Sequence, residues 1–291
     1  MNVSLAEWAA LSCALIWATN SLLLRTQSEH ITPSVMNAIR CAVAGAAFWL
    51  AIPFDNVPLA SLIKVTTAEW VMMLASLCAL ALGDTLYLIA LKEIDVSRTM
   101  ALTGTFPLMT LFWQILLLDA SFDPTLMLGS ALVVSGLFFL SRNNTTGEQP
   151  VRLHWGFTLS LIAALCWGFS TTLLKPASVH MSVIQTNAIR MPLIALVLFF
   201  THILPSDHER LRGIQVRSLL IVSATGLLGM GVGAYLFIYA ITQADPAKVV
   251  TLTSISPLFG MLLAAMFLRE KVTLRIAIGV VLCMGGVYAV L

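Results

Sequence analysis

The stretches "MNAIRCAVAGAAFWL" (36–50) and "TNAIRMPLIALVLFF" (186–200) carry the same tetrapeptide, Asn-Ala-Ile-Arg, at 37–40 and 187–190, a spacing of 150 residues. Each copy opens a long apolar run. Each therefore places an arginine where hydrocarbon would make a charge cost a few kcal/mol or more. The frame extends well beyond the tetrapeptide. Trp17 matches Trp167, Leu23 and Leu24 match Leu173 and Leu174, Gly83 matches Gly233, and Ala90 matches Ala240. Asp95 matches Asp245, Leu102 and Thr103 match Leu252 and Thr253, and Pro107 matches Pro257. Gly129 and Gly136 match Gly279 and Gly286. Shared hydrophobicity supplies Leu and Ala coincidences, but not Trp, Asn, Arg, Asp, Thr and Pro in one ungapped register. The chain reads as an internal duplication.

Composition says which solvent the duplicated unit occupies. The 291 residues are 59% hydrophobic and 10% charged, with a mean hydropathy of +0.93. Soluble domains carry about 25% charged residues, so the natural solvent is lipid. A spanning helix needs about 20 apolar residues. Ten segments qualify: 5–24, 34–54, 69–91, 97–118, 124–141, 154–174, 181–204, 216–241, 247–267 and 273–291. The expected fold is an all-α integral membrane protein. Its first five-helix repeat covers 1–143, a connecting loop covers 144–153, and the second repeat covers 154–291. Five is odd, so the second copy enters the membrane from the opposite side. Such inverted repeats are a common transporter architecture.

The N-terminus has no basic region before its apolar run and Glu7 precedes that run, so it reads as the first membrane helix rather than a signal peptide. Basic residues orient the bundle. Lys64, Lys175 and Lys248 fall on one side. Arg25, Lys92, Arg98, Arg142, Arg152, Arg210, Arg212, Arg217, Arg269, Lys271 and Arg275 fall on the other. The expectation is a multi-pass protein of the cell's inner (plasma) membrane with both termini outside. No basic cluster suggests nucleic acid. Cys13, Cys41, Cys78, Cys166 and Cys283 lie in apolar runs without a CxxC pair, as small packing residues do. Neither a metal site nor a cofactor is expected.

Particular motifs carry a resemblance. "LIWATNSLLLR" (15–25) and "LCWGFSTTLLK" (165–175) open the repeats, and "YLIALKEID" (87–95) and "FIYAITQAD" (237–245) end their third helices. "TLTSISPLFGMLLAAMFLREKVTLRIAIGVVLCMGGV" (251–287) closes the second and is the most specific. In these the chain resembles the drug/metabolite transporter superfamily, in its ten-helix branch with two EamA-type repeats, over essentially its whole length. Ala120 stands where Glu270 stands in the other repeat, so a role for that acid would carry over only to Glu270. The resemblance implies a secondary transporter, often an exporter of amino acids, other metabolites or toxic compounds.

Three ionisable residues look embedded: Arg40, Arg190 and Asp84. The arginines, with Asn37 and Asn187 one turn away, are either a structural element used twice or a clamp for a substrate carboxylate. Asp84 faces Ala234 across the register, and Tyr87 faces Phe237, so this polar face exists only in the first repeat. It is either a buried acid neutralised by Arg40 or a protonatable cavity carboxylate. Thr99, Thr103, Thr110 and Gln114 form a stripe on the fourth helix. Pro107 and Pro257 withhold the hydrogen bonds due to the carbonyls of Thr103 and Thr253, and interrupted helices often line binding sites. Trp17 and Trp167 sit mid-helix, and Tyr235 and Tyr239 are spaced to share a face. All of these are either packing or the walls of a ligand cavity. With Asn20, the candidate substrate contacts are Trp17, Asn20, Asn37, Arg40, Tyr87, Thr103, Gln114, Trp167, Arg190, Tyr235 and Tyr239, with Asp84 as the coupling group.

These features favour a secondary-active exporter of small metabolites such as amino acids, working by alternating access with a proton as candidate coupling ion. An exporter of cationic drugs and a passive facilitator or exchanger fit the same pattern. An intramembrane enzyme lacks support, because His30, His154, His180, His202 and His208 lie mostly in loops or at helix ends and there is no HExxH. The expected partners are a small-molecule substrate and the lipid bilayer, with the chain acting alone or as a homodimer.

Overall fold

A computed structural model describes residues 3–25, 27, 31–93, 99, 102–141, 153–207, 214–256, 258–259 and 274–291. Among these there is no strand. The helices are α1 (Leu5–Arg25), α2 (Pro33–Ala51), α3 (Thr67–Glu93), α4 (Phe106–Leu118), α5 (Pro124–Ser141), α6 (Leu153–Ala177), α7 (Val183–Leu198), α8 (Val216–Thr225), α9 (Ala234–Gln243), α10 (Pro246–Thr253) and α11 (Leu274–Val290). Wider, π-helical turns continue α7 through Phe199–Asp207 and join α8 to α9 through Gly226–Gly233. Among the described residues five helical spans, Ser34–Phe54, Thr67–Tyr87, His154–Ala177, Val183–Thr201 and Val216–Gln243, are long and apolar enough to cross a membrane. Shorter apolar helices cover Phe106–Leu118, Pro124–Phe139 and Ala277–Val290. Large apolar side chains face outward, among them Leu50 at 76% and Ile63 at 87% exposure. A water-facing surface of this kind would associate, whereas lipid matches it.

Local chemistry sets the helix starts. Pro33 stands in the first turn of α2, where its missing N–H costs nothing. Ser182 and Gln185 form a reciprocal capping box on α7. Asp245 caps α10 by accepting from the backbone N–H groups of Ala247 and Lys248.

The elements pack in reciprocal pairs. α3 lies against α6, and α1 against α9 and the π segment before it. These are the third helix of one half on the first of the other, twice. Equivalent helices also meet, α2 with α7 and α5 with α11. Gly45 touches Pro192 while Trp49 donates to the Ala188 carbonyl at 3.0 Å, so α2 and α7 run antiparallel. Gly129 meets Gly286 and Val290 while Gly136 meets Gly279 and Cys283, so α5 and α11 do too. A methyl group added at Gly129 would lie 2.8 Å from the Gly286 carbonyl oxygen, and one at Gly286 would lie 2.5 Å from that of Gly129. Only glycine permits this backbone approach, the small-residue packing common between membrane helices. Contact of residue i with the counterpart of j, and of j with the counterpart of i, is what a two-fold axis produces.

Candidate functional site

The two halves meet around a cavity of about 230 Å³. Trp17, Tyr87, Thr103, Gly104, Phe106, Leu137, Trp167, Thr253, Ser254 and Ser256 line it. Eight of these ten form four pairs in the 150-residue register: 17 with 167, 103 with 253, 104 with 254, and 106 with 256. The fourth segment of each half is broken at this level. A turn at 104–105 separates Leu102–Thr103 from α4, and a turn at 254–255 follows α10. The Thr105 N–H bonds the Leu102 carbonyl at 3.1 Å, a tighter spacing than the α-helix uses. Pro107 sits in the first turn of α4 and withholds a donor from the Thr103 carbonyl. The interruption read from Pro107 is therefore present and borders the cavity. Pro257 and Glu270 lie outside the described residues.

Opposed glycines seat the two indoles. A methyl group at Gly83 would lie 2.8 Å from Trp167 Cδ1, and one at Gly233 would lie 2.7 Å from Trp17 Nε1. The indole donors differ in what they meet. Trp17 Nε1 donates to the Gly229 carbonyl at 3.1 Å, inside the π segment. Trp167 Nε1 donates to Asp84 Oδ1 at 2.8 Å, on regular helix α3. Tyr87 packs on Trp167 with ring centroids 5.4 Å apart, and Phe106 meets its edge at 6.3 Å. Arg40 does not neutralise Asp84: among the described residues the carboxylate has an indole partner and no recorded ion pair.

Arg40 bonds elsewhere. Its Nη2 donates to the Asn20 side-chain oxygen at 2.8 Å, and the Asn20 amide nitrogen donates to the Thr225 carbonyl at 3.2 Å, with the amide oriented by its neighbours. Asn37 accepts from the Cys41 thiol at 3.9 Å. Arg190 is buried on α7. The remaining candidates lie away from the central cavity. Gln114 Nε2 donates to Asp245 Oδ2 at 2.8 Å, and its Oε1 accepts from the Ala247 N–H at 3.0 Å. It ties α4 to the start of α10 beside a separate cavity of about 370 Å³. Tyr235 and Tyr239 line another of about 700 Å³, with Asp55, Lys175 and Gln243.

Gln114 is one of several polar links between the halves at a single face of the bundle. Lys248 forms an ion pair with the buried Glu7. His180 Nδ1 lies 2.7 Å from Glu69 Oε1. Gln185 Nε2 donates to the Val57 carbonyl at 3.0 Å, its Oε1 accepts from Ser61 at 3.2 Å, and Ser182 bonds Asp55. Ser130 and Thr251 share a bond of 2.7 Å. The central cavity sits eight residues of α4 below Gln114, about 12 Å at 1.5 Å per residue.

Sequence reasoning missed Gly104, Phe106, Leu137, Ser254 and Ser256. The signal for four of them was the flanking Thr-to-Pro stretch, in which every residue between the paired threonines and prolines borders the break. It also missed the π segment, for which "GLLGMGVG" at 226–233, with four glycines, was the visible sign.

The model of the EamA-like transporter family matches residues 4–142 and again 154–291. An Archaeoglobus fulgidus protein named "Uncharacterized transporter" is 24% identical over 271 residues, covering 93% of this chain and 92% of that one. An Escherichia coli (strain K12) protein named "Probable amino-acid metabolite efflux pump" is 24% identical over 296 residues, covering 96% and 92%. A solved crystal structure has the same fold, with a TM-score of 0.84 at 18% identity, over 99% of this chain and 96% of that one. Both relatives bear the names of transporters or efflux pumps.

Proposed function

Because this chain belongs to the EamA-like transporter family, we propose that it is a secondary-active exporter of small metabolites such as amino acids, built as ten spans in two inverted five-helix repeats, 1–143 and 154–291. One observation carries the reading. The central cavity is made from equivalent residues of both halves, at a break in the fourth segment of each. Two near-equivalent packings of such halves expose the same cavity to opposite sides in turn. The face holding Glu7–Lys248 and Gln114–Asp245 is the closed side of this state, and transport requires those links to part. Positive-inside counting makes it the outer face of the inner membrane, with both termini outside.

The aromatic wall of Trp17, Trp167, Tyr87 and Phe106 suits an amphipathic molecule. Asp84 is the coupling carboxylate, and protonation there weakens its hold on the Trp167 indole and hence on the wall. A second reading draws on the same residue. With no recorded cationic partner, Asp84 would also attract a lipophilic cation, which favours export of cationic compounds.

Flux in proteoliposomes decides between them. Labelled amino acids and cationic dyes would be tested with and without an imposed pH gradient. Gradient-driven amino-acid flux is the expected result. Dye flux alone would replace the metabolite reading with the cationic one. Gradient-independent exchange would remove proton coupling and leave a facilitator or exchanger.

A further inference from the structure

Arg40 and Arg190 occupy equivalent places in the two halves, but their surroundings differ. Arg40 is held by Asn20 and packed on the π segment, where a methyl group at Gly226 would lie 2.9 Å from the Arg40 Cα. The residues equivalent to Asn20 and Gly226 are Ser170 and Ser76. These two satisfy each other: Ser76 Oγ donates to the Ser170 carbonyl at 2.8 Å and lies 2.9 Å from Ser170 Oγ. Neither bonds Arg190. Arg190 is 6% exposed, its Nε has no acceptor, as that of Arg40 has none, and unlike Arg40, whose Nη2 has Asn20, it has no hydrogen bond or ion pair among the described residues. One turn earlier on α7, Asn187 is 0% exposed. Its Nδ2 donates to the Val183 carbonyl at 3.0 Å, while its Oδ1 accepts nothing.

A buried guanidinium without an anion is among the costliest arrangements in a protein, and an idle amide oxygen adds to the cost. The two unmet needs are complementary: a forked cationic donor and, one helical turn away, a neutral acceptor. A simple inorganic anion would answer only the first. A carboxylate with an ammonium on the adjacent carbon answers both.

We propose that Arg190 and Asn187 are the recognition pair for an α-amino acid, Arg190 taking the carboxylate and Asn187 Oδ1 the ammonium, while Arg40 is a structural member of the Asn20–Thr225 network. This rests on the transporter reading above.

The test uses purified full-length protein. Its thermal unfolding midpoint would be followed against each of the twenty amino acids, then against the carboxamide and the deaminated acid of the best one. Wild type should prefer the amino acid over its carboxamide by on the order of 10- to 100-fold, the scale of a charge-assisted bond. Arg190→Gln should lose that preference. Arg40→Gln should keep it while starting from a lower midpoint. Asn187→Ala should lose discrimination against the deaminated acid, and Arg190→Lys, which keeps the charge without the fork, should weaken the carboxylate preference. The lysine and Asn187 variants carry the test if Arg190→Gln does not fold. Retention of the full preference in a folded Arg190 variant would overturn the assignment. So would displacement of the amino acid by chloride alone, or a wild type that carries dyes across proteoliposomes yet responds to no amino acid. That last outcome would leave the transporter reading standing.

Discussion

Gly83→Ala isolates the seat of the Trp167 indole. The added methyl carbon would stand 2.8 Å from Trp167 Cδ1 and 2.9 Å from its Nε1. Carbon atoms in contact prefer about 3.5 to 4.0 Å, so the indole must retreat by roughly 0.7 Å or more along that contact. Nε1 now lies 2.8 Å from Asp84 Oδ1. A retreat of that size opens the pair to at most about 3.5 Å, where hydrogen bonding has largely lapsed. A bond to a charged group contributes about 1.5–3 kcal/mol, which corresponds to about 10- to 150-fold. The same movement pushes the ring into a cavity of about 230 Å³. The expected result is folded protein with flux reduced by that factor, measured in proteoliposomes for the best amino acid of the panel. Gly285→Ala is the control, because nothing lies within 4 Å of its added methyl while the change in helix propensity is the same. Equal flux from the two variants would refute the claim that Gly83 positions the indole. A Gly83→Ala protein lost to aggregation would redirect the question to Gly233→Ala, which crowds Trp17 in the same way.

Gly286→Ala should lower stability relative to Gly285→Ala by about 1–3 kcal/mol, the usual cost of overpacking, because its methyl would meet the Gly129 carbonyl oxygen at 2.5 Å. Detergent-denaturation midpoints of the two variants would check it, and matched midpoints would contradict the close α5–α11 crossing. Gln114→Ala removes both a donor to Asp245 and an acceptor for the Ala247 N–H. A thiol reagent should then label a cysteine placed at Thr103 faster from the termini-bearing side, and unaltered labelling would exclude Gln114 from the closure. Asp84→Asn should fold normally but carry gradient-independent flux. Preserved response to the pH gradient in that variant would remove Asp84 from coupling.

The duplication was legible because polar and aromatic residues carry more register information than aliphatic ones. NAIR, Trp17/Trp167 and Thr103/Thr253 fixed the offset that the reciprocal packing obeys. The interruption before Pro107 was legible for a covalent reason, since proline has no N–H. Side-chain partnerships were not legible. Asp84 and Arg40 are both charged and both embedded, which suggests a pair, yet an indole and an amide claim them separately. Gln114 belongs to the stripe that includes Thr103, but a helix face continues past the cavity level into the bundle end, where Asp245 and Ala247 wait. Tyr235 and Tyr239 share a face, as their spacing predicted, but the face looks onto a different cavity. Periodicity gives direction around a helix and leaves depth along the bundle to packing.

The two indole donors have one further consequence. Trp17 is served by the Gly229 carbonyl, a main-chain atom that every amino acid carries. Trp167 is served by the Asp84 side chain, which a single codon change can erase. One half of the duplicated wall thus depends on no side-chain acceptor for its indole, and the other depends on one. Engineered changes of cargo should accordingly come more readily from substitutions at 84 and around Trp167 than from any made opposite Trp17.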